Sequence, residues 1–156
     1  MHFETFFRDE YERLFRALCL FTGTTHDAEE VAQEAFVIVW ERWERVGAMD
    51  SPTGFLYRVA MNAARRRFRR GLVARRHVHE AAPADELQRI DDQDEAWRAL
   101  RSLPPQQRAA LILVGYLGCS SEEAARILGN KASTVRVLTA RGRAVIRGQA
   151  VEANDG

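Results

Sequence analysis

Cysteine is scarce in this chain. Cys19 and Cys119 are the only two, too few to make a metal site by themselves. Each sits among apolar residues, so both read as buried thiols of a reducing compartment. His77-Val78-His79 could suggest a metal, but no third ligand is close in sequence. There is no Gly-rich phosphate loop, no Ser/His/Asp arrangement and no ligand cluster, which argues against an enzyme. Asp27, Glu29 and Glu30 could pass for an acid/base group, but a helix start explains them at less cost. No cofactor is expected. No apolar run approaches membrane-spanning length. The N-terminus, Met1-His2-Phe3-Glu4, is acidic and enters an amphipathic pattern at once, so no secretory leader is expected and the protein reads as cytoplasmic. No strand signal stands out.

Net charge is also nearly absent, at +1, yet the charge is sorted along the chain. Seven arginines and no acid stand between Arg65 and Arg76. Seven acids and one base, Arg89, follow from Glu80 to Glu95. Beyond Ala96 the bases again outnumber the acids, nine to two, as far as Gly148. Two basic surfaces separated by an acidic connector is the pattern.

Helical periodicity fills both basic parts. Glu4 to Phe21 carries Phe7, Tyr11, Leu14, Phe15 and Leu18 on one side. Thr25 can cap a second helix, with Asp27, Glu29 and Glu30 suited to its dipole. That helix is expected to run to about Val46, burying Ala28, Ala32, Ala35, Phe36, Val39, Trp40 and Trp43. Its outer face, Glu30, Gln33, Glu34, Val37 and Glu41, is either a solvated surface or a docking surface for a basic partner. Gly47 to Gly54 is a loop, and Asp50-Ser51-Pro52 starts a third helix. This helix turns Asn62, Arg65, Arg66, Arg69 and Arg70 outward. Arginines so crowded repel one another, and an anionic polymer would relieve them. From Gly71 to Asp94 no periodicity is sustained, as in a linker.

The C-terminal part reads as four helices. One holds Trp97, Leu100 and Leu103, and another starts at Pro104-Pro105. The last two flank Gly129-Asn130, residue types that end helices in the left-handed conformation. Ser120 with Glu123 suits a capping box ahead of the first of this pair, and Ser133 can cap the second. Val135, Leu138 and Val145 recur on the inner side of that last helix, leaving Arg136, Arg141 and Arg143 to point elsewhere. A bracing helix followed by an arginine-bearing one is the helix-turn-helix plan for the DNA major groove. A polar tail is expected from Gly148.

Four segments in order carry a family resemblance. Asp27-Ala-Glu-Glu-Val-Ala-Gln-Glu-Ala-Phe-Val-Ile-Val-Trp40, Phe55-Leu-Tyr-Arg-Val-Ala-Met-Asn62, Leu100-Arg-Ser-Leu-Pro-Pro-Gln-Gln-Arg108, and Glu123-Ala-Ala with Thr134-Val-Arg136 resemble the bacterial RNA polymerase sigma factors. The similarity is to the small extracytoplasmic-function group of the sigma-70 family. It implies an all-α chain of two small helical domains joined by a flexible linker. Residues 1–70 would bind core polymerase and the −10 element, 71–94 would be an acidic linker, 95–148 would bind the −35 element, and 149–156 would be a tail. It also implies roles. Glu30, Gln33, Glu34 and Val37 would dock on core polymerase. Met49, Asp50 and Ser51 would capture a −10 base, with Asn62, Arg65, Arg66 and Arg69 on the melted strand. Arg136, Ala140 and Arg141 would face −35 bases, with Arg126, Lys131, Thr134 and Arg143 beside them. The acidic linker would mimic nucleic acid along its path. Family members are often held by an anti-sigma protein.

The chain departs from the family in places. Glu30 stands for the usual Asp, Ala124 for Ile, and Leu138-Thr139 for a basic residue followed by Leu. Gly142 replaces a helix-favouring Ala, at an intrinsic cost of about 1 kcal/mol. The rival reading is a stand-alone helix-turn-helix regulator, which leaves the tryptophan-rich second helix without a purpose.

Overall fold

The computed structural model describes residues 1–77 and 95–155. The described residues are all-α with no strand among them. The linker expected at 71–94 lies mostly outside them, as do Val78 and His79 of the histidine pair, but residues 71–77 continue the helix before them.

Helices α1 (Phe3–Thr22), α2 (Thr25–Glu41), the single turn α3 (Trp43–Val46) and α4 (Pro52–His77) build the N-terminal module. Gly23 ends α1 in the left-handed region, at φ 82°. The cap of α2 is Thr24 rather than Thr25. Thr24 is extended, and its hydroxyl accepts from Asp27 N–H at 3.1 Å, whereas Thr25 is already helical. The long second helix expected as far as Val46 is broken at Arg42, whose φ of −113° leaves the helical range. The break lets Trp43 turn back onto Phe3 and Phe6, with ring centroids 5.6 and 5.1 Å away. Pro52 opens α4 after Ser51, whose hydroxyl accepts from Gly54 N–H at 3.0 Å. Glu10 of α1 fastens the same end by accepting from Thr53 Oγ1 (3.1 Å) and Tyr57 Oη (3.3 Å).

The C-terminal module holds α5 (Glu95–Arg101), α6 (Pro105–Leu111), α7 (Ser121–Leu128) and α8 (Ala132–Asp155). A wide π turn, Ile112–Tyr116, prolongs α6. The capping box at α7 is complete: Glu123 N–H donates to Ser120 Oγ (3.0 Å), and Ser120 N–H to Glu123 Oε2 (3.2 Å). Gly129 closes α7 at φ 72°. Helix α8 begins at Ala132, so Ser133 lies in its first turn, and it runs to Asp155 where a tail was expected. Val135, Leu138 and Thr139 are buried on it, while Val145 is 41% exposed.

Gly142 has a packing reason. A Cβ there would lie 2.7 Å from Leu111 Cδ1 and 3.3 Å from Leu111 Cγ. The glycine lets α8 close on α6, which overrides its poor propensity. Gly142→Ala is therefore expected to forfeit the stabilisation of about 1 kcal/mol that helix propensity alone offers. Thermal unfolding checks this: no rise in Tm is expected.

Candidate nucleic-acid interface and docking surface

On α8 the buried side fixes what faces out. Val135, Leu138, Thr139 and Gly142 point into the module. Lys131, Thr134, Arg136, Ala140, Arg141 and Arg143 are all exposed, as is Arg126 on α7. Leu138 and Thr139, where the chain departs from its relatives, belong to the packing rather than the outer face. Thr139 Oγ1 donates to the Arg136 carbonyl at 3.0 Å. Arg136 itself donates to Glu122 at 2.8 Å, an exposed ion pair. Val137, 46% exposed between these arginines, was not among the expected contacts. Its methyl groups are suited to the thymine C5-methyl group. Its spacing of three from Thr134 and four from Arg141 was the available signal.

On α4 the arginines divide. Arg65 donates to Asn62 Oδ1 at 2.7 Å. Burial, and then the neighbouring Arg69, lower the pKa of its guanidinium. Arg66 reaches Glu34 of α2 at 3.5 Å. Arg67, passed over in the sequence, turns inward to Asp27 (3.5 Å) and Glu30 of α2. Its position three and four residues beyond Ala64 and Ala63, both buried, was the clue. Arg69 is exposed.

The face of α2 is consequently mixed. Glu30 is half-buried between His26 (3.1 Å) and Arg67. Gln33, Glu34 and Val37 are exposed. Trp40, expected in the core, is 61% exposed. It lies three residues from Val37 and seven from Gln33, and so shares their face. Trp43, after the break, fills the apolar space instead. The result is an exposed indole and isopropyl group rimmed by acids, the composition of a protein interface core. The donor atoms of His26, Asp27 and Glu30 lie within 4.8 Å of one another, close enough for a metal, but the Arg67 guanidinium already supplies positive charge there.

Met49 is half-buried, Asp50 is exposed, and exposed Ser51 is tied down as a cap. This loop faces the C-terminal module. Between them lies a cavity of about 500 Å³ lined by Met49, Ser51, Phe55, Arg58, Cys119 and Arg126, among others. Of the residues expected on DNA, Met49 and Ser51 of the −10 group and Arg126 of the −35 group line this cleft, and none of α8 does. Arg13 of α1 donates across the junction to the Leu117 carbonyl at 2.8 Å.

A second contact between the modules is made by Arg108, only 6% exposed. Its guanidinium donates to the carbonyls of Leu100 (3.1 Å), Arg101 (3.0 Å) and Leu103 (3.1 Å) in its own module. It also donates to Phe21 in the other module, at 2.8 Å. Its Cζ lies 5.5 to 5.9 Å from the ring centres of Phe21, Phe68 and Trp97. Burial lowers its pKa. Trp97 in turn lies against Gly23, where a Cβ would fall inside the indole. The apolar core is continuous through this junction.

Residues 6–71 match the family model for sigma-70 region 2, and residues 93–146 the one for sigma-70 region 4. The chain is 30% identical over 149 residues to the ECF RNA polymerase sigma factor SigM of Mycobacterium tuberculosis, covering 91% of this chain and 74% of that one. It is 32% identical over 154 residues to SigE of Mycolicibacterium smegmatis, covering 90% of this chain and 58% of that one. In fold it is similar to the sigma factor RpoE of Bartonella quintana, solved in complex with the anti-sigma factor NepR. The TM-score is 0.74 at 21% identity, over 93% of this chain and 96% of that one. It is also similar to CnrH, solved with the cytosolic domain of CnrY, at a TM-score of 0.68 and 24% identity over 99% and 89% of the two chains.

Proposed function

We propose, from the premise that this chain belongs to the sigma-70 family of RNA polymerase sigma factors, in its extracytoplasmic-function group, that it carries promoter specificity to core polymerase through three surfaces. The exposed face of α2 docks on the polymerase, with Trp40 and Val37 as its apolar centre and Gln33 and Glu34 at its rim. Asn62, Arg65, Arg66 and Arg69 of α4, with the loop Met49 to Ser51, hold the melted −10 strand. The exposed face of α8 enters the −35 major groove, Arg136 and Arg141 reading base edges while Lys131, Thr134, Arg143 and Arg126 bind phosphate. The protein positions and melts DNA and leaves the chemistry to the polymerase. No helix among the described residues is long and apolar enough to cross a membrane; action on the polymerase places the protein in the cytoplasm, where an anti-sigma protein is a further partner in this family.

The observation that carries this reading is Trp40, whose indole is 61% exposed beside Val37 and the acids of α2. A stand-alone helix-turn-helix regulator has no use for it. Splitting the surfaces tests the reading. Arg141→Ala is expected to lower promoter affinity by about 1–3 kcal/mol at one −35 position while core binding stays unchanged. Gln33→Ala with Glu34→Lys is expected to do the reverse. Core binding by gel filtration and promoter binding by the reconstituted holoenzyme separate the two. Equal damage to core binding from both sets would contradict the assignment.

A further inference from the structure

One residue of α8 is not explained by folding. Val137 is 46% exposed. A β-branched side chain has poorer helix propensity than alanine, and at this exposure Val137 buries too little to offset it. Among the described residues it has no part in the apolar core. Both its neighbours are accounted for. Arg136 donates to Glu122 of α7 at 2.8 Å, and Leu138 is buried.

The place of Val137 on the helix is specific. At about 3.6 residues per turn it faces away from Val135, Leu138 and Gly142, which pack into the module. Ala140 and Ala144 share its outer side and are too short to compete with it. Arg136 and Arg143 lie on one flank, Thr134 and Arg141 on the other. Helix α8 begins at Ala132, so Val137 stands in its second turn, within the N-terminal part of a recognition helix that reaches base edges. Val145, also exposed, lies about two turns beyond it.

In the major groove the one methyl group on a standard base is at C5 of thymine. 5-Methylcytosine carries the same methyl at the same carbon. We propose that Val137 makes the −35 reading of this chain methyl-dependent: the base it meets must carry a C5-methyl group, as thymine and 5-methylcytosine do and uracil and cytosine do not. The proposal names the ligand chemistry of the α8 face assigned above and rests on that assignment. Contact takes the valine and base methyl groups out of water together. It adds a discrimination that no hydrogen bond from Arg141 supplies. Uracil keeps the O4 acceptor of thymine, so that exchange deletes the methyl and leaves the hydrogen-bonding pattern intact.

The test uses holoenzyme reconstituted from the full chain and core polymerase. A promoter sequence is first selected from fragments randomised across the −35 block. It is then resynthesised with uracil for thymine, one position at a time on each strand. At one −35 position uracil is expected to weaken holoenzyme binding about fourfold, the effect of removing one methyl group from a buried contact. With cytosine placed there instead, 5-methylation is expected to strengthen binding by a similar factor. Val137→Ala is expected to abolish both differences with core affinity unchanged. Arg141→Ala is expected to weaken binding overall and leave both differences standing. Three results would overturn the methyl contact: thymine and uracil binding alike at every −35 position, a uracil penalty that persists in Val137→Ala, or a loss of core affinity in Val137→Ala, which would make this valine part of a protein interface. A holoenzyme that recovers no shared −35 sequence would overturn the functional assignment and the methyl contact together, whereas a recovered sequence without a uracil penalty overturns the methyl contact alone.

Discussion

Arg108→Ala is expected to lower stability by on the order of 3–5 kcal/mol, the range for removing one member of a buried charged network. Four backbone carbonyls lose their donor at once. Three aromatic rings, Phe21, Phe68 and Trp97, lose the cation that sits against them. The truncated side chain leaves a void that alanine does not fill. For a chain of this length the loss corresponds to a fall in Tm on the order of 10 °C. Thermal unfolding followed by circular dichroism measures it. Arg108→Lys is expected to recover less than half, because an ammonium on a flexible stem cannot serve four carbonyls that a planar guanidinium reaches together. A loss below about 1 kcal/mol for Arg108→Ala would mean that water replaces these contacts freely.

Trp40→Ala is expected to weaken core-polymerase binding at least 30-fold, about 2 kcal/mol, as truncation of a central interface tryptophan does. The fold should hardly notice. Trp40 is 61% exposed, and the apolar space at that end of α2 is filled by Trp43 against Phe3 and Phe6. Tm is therefore expected to stay within about 2 °C. Core affinity is read by fluorescence anisotropy of labelled protein, and the contrast with Trp43→Ala is the control. That variant should lose stability first. Loss of stability with unchanged core affinity in Trp40→Ala would place the docking surface elsewhere.

The features legible in the sequence were those written locally. The capping box of Ser120 and Glu123, the left-handed Gly129 and the Ser51-Pro52 start of α4 depend on residues within one turn of each other. Their geometry follows from the residue types. The helix-turn-helix was legible for the same reason. What was missed depends on partners remote in sequence. Trp40 sits at the edge of an apolar stripe, and only the break at Arg42 decides that Trp43 goes in and Trp40 stays out. Arg67 stands in a run of arginines, and contact with α2 singles it out. Gly142 looked like a weakness by propensity, until Leu111 explained it. Arg108 closes a recognised segment, yet its partner Phe21 is 87 residues away. Periodicity indicated the exposed positions Gln33, Glu34 and Val37 of α2 and Arg136, Ala140, Arg141 and Arg143 of α8, while Glu30, Asn62 and Arg65 are half-buried. It could not reveal that Arg126 of α7 shares a cleft with Met49 and Ser51.

One reconstitution tests the central claim most directly. The purified chain is added to core RNA polymerase lacking any sigma subunit, and transcription is followed on a pool of promoter fragments. The account predicts a stable complex that starts transcripts at defined sites, with shared sequence upstream at both −10 and −35. Core polymerase that stays unbound, or transcripts that start without regard to sequence, would contradict it.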